Sequence, residues 1–372
     1  MRVLIAAGGT GGHIYPGIAV AGEVLRRDHS SVIRFVGTAH GLEGRLIPIA
    51  GFELSIIESV GLKNVGLAAK TRGLLLLPKS FFGARRVILD FRPDIVVGAG
   101  GYVSGPVLLT AALMRLPTLV MDSNALPGWT NRVLARFVDK AAVSFVEALP
   151  YFHGKGVLTG NPVRNQFFEI PAKQRDVSQF SLLVFGGSQG ARAINEAVFG
   201  ALTHLSTKKD RLRIVHQTGD ADYQKMQERY QAAGWGERVN VRRYIDDMMA
   251  EFSKTDLVVC RAGATTTAEL VAAGKAAIMI PFPLAADDHQ RKNAEALQAA
   301  GAARMILQKD LSGERLGREI VDLINRPERI DAMEKASHAL ARPDAAAATV
   351  DLMEGLVESR RQKAEGRKQN GR

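Results

Sequence analysis

The sequence of 372 residues contains one cysteine, Cys260, and no unbroken apolar segment of the kind that spans a membrane. A single thiol excludes an internal disulfide, and the chain starts with a strand-like segment instead of a basic and apolar leader. We therefore expect a protein of the reducing cytoplasm. The longest run without charged residues, 95–114, has the length of a membrane helix. Its glycines and its proline instead predict a strand, a loop and a helix.

Common signatures of metal and nucleotide sites are also missing. The sequence has no His-Glu-X-X-His, no Cys-X-X-Cys and no glycine loop that ends in Gly-Lys-Ser/Thr. Asp220 and Asp222 could together hold a divalent ion, but their segment is better explained as a helix N-terminus. We expect neither a metal nor a cofactor.

The formal net charge of +11 is concentrated in two segments. Residues 60–92 hold seven basic residues and one acidic residue, residues 360–372 hold six and one, and the rest of the chain is balanced. A diffuse basic surface of the type that binds nucleic acid is therefore not expected. Residues 359–372 have almost no apolar side chains, which predicts a disordered basic tail.

The rest of the sequence alternates short apolar runs with helical patterns, which is typical of parallel α/β domains. Two such series occur, one on each side of Pro162, and each begins with a strand, a glycine-rich turn and a helix. The predicted strands are 3–7, 33–37, 53–57, 95–98, 118–121, 141–143, 182–185, 213–217, 239–242, 257–260 and 277–280. We expect an α/β fold of two doubly wound parallel-sheet domains that face a ligand cleft.

The segment 3–17, VLIAAGGTGGHIYPG, carries the strongest local signal. Glycines between a strand and a helix let main-chain N–H groups approach a ligand closely, and the helix N-terminus favours an anion. A dinucleotide fingerprint does not fit, because Ile14 stands where a glycine is needed. The helix dipole should keep His13 neutral, which makes it the candidate general base. The alternative is a polar residue in a tight turn.

Two more segments of the first half should lie at the same sheet edge. GAGGYVSGP, residues 98–106, is a second glycine turn after a strand. MDSNALPGWTN, residues 121–131, supplies Asp122 and Asn124, although both residue types are also common in turns.

The second half contains three comparable segments. Residues 186–190, GGSQG, repeat the phosphate-binding pattern with Ser188 as a hydroxyl donor. In CRAGATTTAEL, residues 260–270, Thr266 and Glu269 have the spacing of a capping box, but Glu269 could equally accept both hydroxyls of a ribose. In residues 281–294, Asp288, His289 and Gln290 start a helix and could bind sugar hydroxyls or act as simple caps.

Residues 67–86, LAAKTRGLLLLPKSFFGARR, mix leucine and phenylalanine with lysine and arginine. This composition suits an apolar face that enters an anionic bilayer, ringed by cations that bind phosphate groups. The alternative is an ordinary core helix with a basic outer face.

Six motifs resemble, in order, those of the bacterial MurG transferases: GGTGGHIYP, GAGGYVSGP, GNPVR, GGSQGAR, RAGATTTAEL and DDHQRKNA. That family moves N-acetylglucosamine from UDP-N-acetylglucosamine to undecaprenyl-pyrophosphoryl-N-acetylmuramyl-pentapeptide (lipid I), which yields lipid II. The resemblance implies a GT-B fold with Rossmann-like domains, and an inverting, metal-independent reaction at the cytoplasmic face of the bacterial inner membrane. It implies an acceptor- and membrane-binding domain at 1–163 with a crossing helix at 341–358, a UDP-sugar domain at 164–340, and the basic tail.

The resemblance also assigns residues. The implied donor contacts are Thr10, Gly11, Gly12, Asn124, Arg164, Ser188, Ile245 (through its backbone, to uracil), Ala264, Thr265, Thr266, Glu269 and Gln290. Tyr102 and Asn131 would contact the acceptor, and His13 or Asp122 would be the base. The family usually has Glu-Gln-Asn where this chain has Asp122, Ser123 and Asn124, so the role of Asp122 stays open.

The implied partners are UDP-N-acetylglucosamine, lipid I and the anionic inner-membrane surface, with other cell-wall and division proteins as further candidates. Three alternative functions fit parts of the pattern: glycosyl transfer to another glycolipid or an antibiotic aglycone, UDP-sugar binding without turnover, and sugar-nucleotide epimerisation. A soluble aglycone would not need the segment 67–86, and an epimerase would convert the UDP-sugar without an acceptor.

Overall fold

The computed structural model describes residues 1–9, 11–39, 41–58, 67–176, 178–187 and 189–370; the side chains of 67–77, 286, 364 and 366–370 are outside that description. The chain divides into two compact units, Met1–Val163 with Arg342–Arg372, and Arg164–Ala341. Each unit is built on its own parallel β-sheet.

The first unit contains a seven-stranded sheet. Its strands are β1 (Arg2–Ala7), β2 (Val32–Gly37), β3 (Glu53–Ile56), β4 (Ile95–Gly100), β5 (Thr118–Asp122), β6 (Lys140–Val143) and β7 (Gly156–Leu158). Its helices before residue 163 are α1 (Gly11–Arg27), α2 (Glu43–Ile49), α3 (Leu67–Phe91), α4 (Ser104–Leu113), α5 (Trp129–Leu134) and the 3₁₀ segment Val146–Phe152. The order is β3-β2-β1-β4-β5-β6-β7, so it reverses between β1 and β4, where ligands bind in such sheets.

Both faces of this sheet are covered, which explains why β1 is an unbroken apolar run. Val3 and Ile5 pack with α1 on one face, and Leu4 and Ala6 pack with α3 and α4 on the other. The uncharged run 95–114 forms β4, a turn and α4, as predicted. Among the described residues, no helix has the length and apolarity needed to cross a bilayer.

The second unit repeats the scheme with six strands. They are β8 (Phe180–Phe185), β9 (Leu212–Gln217), β10 (Val239–Arg242), β11 (Leu257–Cys260), β12 (Ala277–Met279) and β13 (Ala303–Met305), in the order β10-β9-β8-β11-β12-β13. Its α-helices are α6 (Arg192–Leu205), α7 (Asp220–Ala232), α8 (Met248–Lys254), α9 (Ala264–Ala272), α10 (His289–Ala299), α11 (Gly313–Asn325) and α12 (Pro327–Ala339). Short 3₁₀ segments are Asn165–Phe167, Ser206–Arg211, Ala286–Asp288 and Gln308–Asp310.

The last helix, α13 (Ala345–Asn370), returns to the first unit. Val350, Met353 and Val357 pack into the core that contains α1. The prediction of a disordered tail is wrong for the described part, because α13 continues to Asn370. Residues 359–370 are mostly alanine, arginine, lysine, glutamine and glutamate, which are strong helix formers, and the docked first half of the helix removes the cost of nucleation.

The predicted strands all form, with ends that shift by at most two residues. β7 and β13 were not predicted. Each is a three-residue edge strand, too short for an apolar run to stand out.

Candidate active site

The loop after β1 packs directly on the turn after β4. The Gly8 amide donates to the Gly100 carbonyl at 3.3 Å, and a Cβ atom at Gly101 would lie 2.1 Å from the Gly8 carbonyl oxygen. Gly101 also has φ +84°, so this close approach requires glycine. Gly11 and Gly12 form the start of α1, whereas the sequence analysis placed these glycines in the turn before the helix; Thr10 lies outside the described residues.

His13 lies in the first turn of α1 and is half-buried. Its Nδ1 is 3.1 Å from the Gly8 carbonyl oxygen. A carbonyl can only accept, so Nδ1 carries the hydrogen and Nε2 carries the lone pair of the neutral imidazole. The ring lies against Gly100, where a Cβ would be 2.4 Å from His13 Cδ2. The basic nitrogen of His13 is therefore fixed as Nε2.

A buried carboxylate, which the sequence analysis missed, lies beneath this loop. Glu43, the first residue of α2, accepts a hydrogen bond from the Gly9 amide at 3.0 Å. The expectation that this loop binds an external anion is therefore incomplete, because one of its N–H groups already binds an internal one. The available signal was a glutamate at the start of the helix that follows β2 of the same sheet.

Asp122, at the end of β5, is almost fully buried. Its carboxylate accepts hydrogen bonds from the Asn124 amide at 2.9 Å, the Gly128 amide at 3.2 Å and the Asn131 side chain at 2.8 Å. Burial raises its pKa to about 6, although these hydrogen bonds favour the charged form. Asp122 thus holds the segment 122–131 in shape.

The other predicted site residues of this unit differ in their exposure to solvent. Tyr102 is exposed, as an acceptor contact would be. Asn131 is buried and donates to the Met121 carbonyl as well as to Asp122, so its amide nitrogen is used within the protein. The Asn124 backbone is fixed by Asp122.

In the second unit, the glycine turn after β8 packs on the turn after β9. A Cβ at Gly190 would be 1.9 Å from the Thr218 carbonyl oxygen. Ser188 lies outside the described residues. Gln217 was not predicted, yet it connects two expected ligand segments: its Nε2 donates to the Gly187 carbonyl at 2.7 Å, and its Oε1 accepts from the Ile245 amide at 2.8 Å. A uracil could use that Ile245 N–H only if Gln217 turned away.

The position at which helix α9 starts distinguishes between the two interpretations of Glu269, a capping box or a carboxylate for ribose hydroxyls. Its N-cap is Gly263, without a side-chain cap bond, so Thr266 lies inside the helix and the capping-box interpretation is wrong. Glu269 is instead a mostly buried carboxyl in the second turn. Arg164 Nη2 lies 3.9 Å from Glu269 Oε1. Burial raises the pKa of Glu269 to about 7, opposed by the charge of Arg164.

Ala264, Thr265 and Thr266 form the first turn of α9, the part of a helix whose backbone N–H groups have no acceptor within the helix. Gln290, in the first turn of α10, accepts from the Phe282 amide at 3.0 Å through Oε1. Asp287 and Asp288, just before α10, both have φ +55°, a strained conformation that is common in ligand loops. Within the described residues, no group of three His, Cys, Asp or Glu side chains could hold a metal ion.

Comparison with known proteins agrees with this architecture. Residues 3–143 match the model for the glycosyltransferase family 28 N-terminal domain, and residues 181–349 match that for the C-terminal domain. Relatives from Anaeromyxobacter sp. (strain K) and Citrifermentans bemidjiense are 48% and 47% identical, cover 97% and 95% of this chain, and are matched over 94% and 99% of their own length. Each is named "UDP-N-acetylglucosamine--N-acetylmuramyl-(pentapeptide) pyrophosphoryl-undecaprenol N-acetylglucosamine transferase".

Solved structures give the same result. The crystal structure of Acinetobacter baumannii MurG is similar with a TM-score of 0.77 and 31% identity, covering 95% of this chain and 99% of that one. A Neisseria meningitidis UDP-GlcNAc 2-epimerase is similar with a TM-score of 0.69 but 13% identity, covering 95% of this chain and 100% of that one, which is a likeness of fold alone. The chain belongs to glycosyltransferase family 28 and, within it, to the MurG transferases.

Proposed function

We propose that this chain transfers N-acetylglucosamine from UDP-N-acetylglucosamine to the C4 hydroxyl of undecaprenyl-pyrophosphoryl-N-acetylmuramyl-pentapeptide, with inversion at the anomeric carbon. The relatives' names and their near-complete coverage support the substrates. The observation that carries the chemistry is His13, whose hydrogen bond to Gly8 leaves Nε2 as a base at a helix N-terminus.

In the proposed step, Nε2 of His13 takes the proton of the acceptor hydroxyl while the hydroxyl oxygen attacks the anomeric carbon. The bond from that carbon to the UDP oxygen breaks, and its electron pair leaves with UDP. The N-terminal amides of α6 and α9 and the half-exposed Arg164 are suited to stabilise that charge. Glu269 would accept the ribose hydroxyls.

The direct test is transfer of labelled N-acetylglucosamine from its UDP donor to a lipid I analogue in the presence of EDTA. We expect a labelled disaccharide product whose yield EDTA does not change. Conversion of the UDP-sugar without an acceptor would identify an epimerase instead. Binding of the UDP-sugar with neither reaction would contradict the proposed acceptor.

The proposed site of action is the cytoplasmic face of the inner membrane, with the protein bound peripherally through α3. Part of this surface, Leu74–Leu77 included, lies where side chains are not described. In the described part, Phe82 is 74% exposed, and exposed Lys79, Arg85 and Arg86 surround it along the helix. An exposed aromatic side chain among cations suits an anionic lipid surface. Cell-wall and division proteins stay candidate partners.

Replacing Phe82 by serine should weaken binding to vesicles that contain anionic lipid by about tenfold, since it removes one large apolar side chain from the bilayer contact. Co-sedimentation with the vesicles measures the change. The matched control is Ile49→Ser on α2, a 73% exposed apolar residue that belongs to the opposite face of the sheet. Equal losses in both variants would contradict a specific contact through α3.

A further inference from the structure

Glu43 and His13 are joined through a single peptide group. Glu43 Oε2 accepts from the Gly9 N–H, and His13 Nδ1 donates to the Gly8 C=O. The Gly8 C=O and the Gly9 N–H belong to the same planar amide. A carboxylate, a peptide group and an imidazole therefore form a continuous hydrogen-bonded chain, with distances of 3.0 and 3.1 Å.

Glu43 is built into a specific position. It is 0% exposed, and its Oε1 accepts from the Thr38 amide at 3.0 Å and the Thr38 hydroxyl at 2.7 Å. Glycines leave the space it occupies: a Cβ at Gly41 would lie 1.9 Å from Oε2, and a Cβ at Gly37 would lie 2.6 Å from Cγ. The carboxyl group cannot shift without disturbing two turns and the loop that holds His13.

Glu43 is also ionised although it is buried. Burial opposes ionisation, but the hydrogen bonds from Thr38 and Gly9 outweigh it and hold the pKa of Glu43 below its ordinary value. A buried charge is costly to keep, which suggests that the charge itself is used.

We propose that Glu43 is a positioning residue that acts on His13 through the Gly8–Gly9 peptide. Its charge polarises that amide and strengthens the Gly8 carbonyl as an acceptor. The stronger acceptor holds the hydrogen on His13 Nδ1, keeps the lone pair on Nε2, and stabilises the imidazolium once Nε2 has taken the acceptor's proton. This inference rests on the proposed role of His13 as the base.

The test compares Glu43→Gln, which keeps the size of the side chain but removes its charge, with Glu53→Gln. Glu53 is an exposed carboxylate of the same unit, paired with Arg34. With ¹⁵N-histidine in the full chain, the ring signals of His13 are identified among the eight histidines by their loss in His13→Ala. At a pH where the imidazole is neutral, we expect one Nδ1–H tautomer in the native chain and in Glu53→Gln, and a mixture in Glu43→Gln.

Kinetics give a second readout. In Glu43→Gln we expect kcat to fall by about tenfold or more and KM for UDP-N-acetylglucosamine to stay within about twofold, because the base and not donor binding is affected. A folded Glu43→Gln with native His13 signals and native kcat would overturn the proposal. If this variant does not fold, an Nε2–H tautomer in the native chain would overturn it equally.

A purely structural role is tested by Thr38→Val, which removes the hydroxyl bond to Glu43 and leaves the bonds from the Thr38 and Gly9 amides. The variant is compared at about pH 8, well above the ordinary range of a carboxyl group, so that Glu43 keeps its charge. The proposal predicts a native tautomer and native kcat for this variant, and a large loss of kcat would contradict it. Failure of the native chain to transfer sugar would refute the proposed function, whereas the tautomer measurement would still test the Glu43–His13 connection.

Discussion

Replacing His13 by alanine is expected to lower the rate of sugar transfer by about 100-fold or more, the usual range for a lost general base. Without Nε2, the acceptor hydroxyl must attack while it still carries its proton. Binding of the UDP-sugar should change little, because the donor contacts proposed for the second unit are unaffected. Single-turnover transfer and donor titration measure the two quantities separately.

His13→Asn tests the loss of the basic nitrogen separately from the loss of the N–H donor. Asparagine keeps an N–H that can donate toward the Gly8 carbonyl but has no basic nitrogen, so it should be as slow as alanine. His29→Ala, an exposed histidine after α1, is the matched control and should retain the native rate. If His13→Asn retained activity, the base would lie elsewhere. Asp122 would then be the next candidate, with a pKa of about 6 that suits the task.

Glu269→Gln should stabilise the second unit and weaken donor binding at the same time. Burial raises the pKa of Glu269 to about 7 from an ordinary value of 4.5, so the folded chain binds its proton more tightly than the unfolded chain. This contribution to stability is fully present below about pH 4.5 and is lost as the pH rises through about 7. The difference between the two pKa values corresponds to at most about 3 kcal/mol in the free energy of unfolding.

Urea unfolding at about pH 5 and about pH 8 measures this effect. The native chain should lose stability between the two values, and Glu269→Gln, which does not titrate, should lose less. Glu196→Gln is a control with the opposite expected effect on stability, because hydrogen bonds from Lys225 and Arg229 lower the pKa of Glu196. That variant should be less stable than the native chain at both pH values. An equal loss of stability with pH in Glu269→Gln and the native chain would contradict the prediction.

The same variant should raise KM for UDP-N-acetylglucosamine by about tenfold or more, because a carboxamide offers one acceptor oxygen where a carboxylate offers two. Since stability and affinity are expected to change in opposite directions, damage to the fold cannot explain the weaker binding. Unchanged KM would remove Glu269 from the donor site.

The alternation of apolar runs and glycine turns predicted the two parallel sheets because buried parallel strands need nearly continuous apolar residues. The same logic placed His13, Asp122 and Glu269 after strands or at helix starts. It could not decide what each polar side chain contacts. Thr266 and Glu269 have a capping-box spacing, and only the position of Gly263 as N-cap excludes that interpretation.

Glu43 and Gln217 show what the sequence does not reveal. Each acts by filling the hydrogen-bonding groups of a loop that is distant in sequence: Glu43 those of Gly9 and Thr38, Gln217 those of Gly187 and Ile245. Such partners depend on tertiary approach rather than on periodicity. A motif search therefore finds the glycine loops but not the side chains that hold them.

The return of α13 to the first unit has a consequence for synthesis on the ribosome. Val350, Met353 and Val357 complete the core beside α1, but they are made after the whole of Arg164–Ala341. The second unit is continuous in sequence and can bury its core while translation proceeds. The first unit must wait with the α1 side of its sheet incompletely covered, so the unit that begins the chain is the last to be finished.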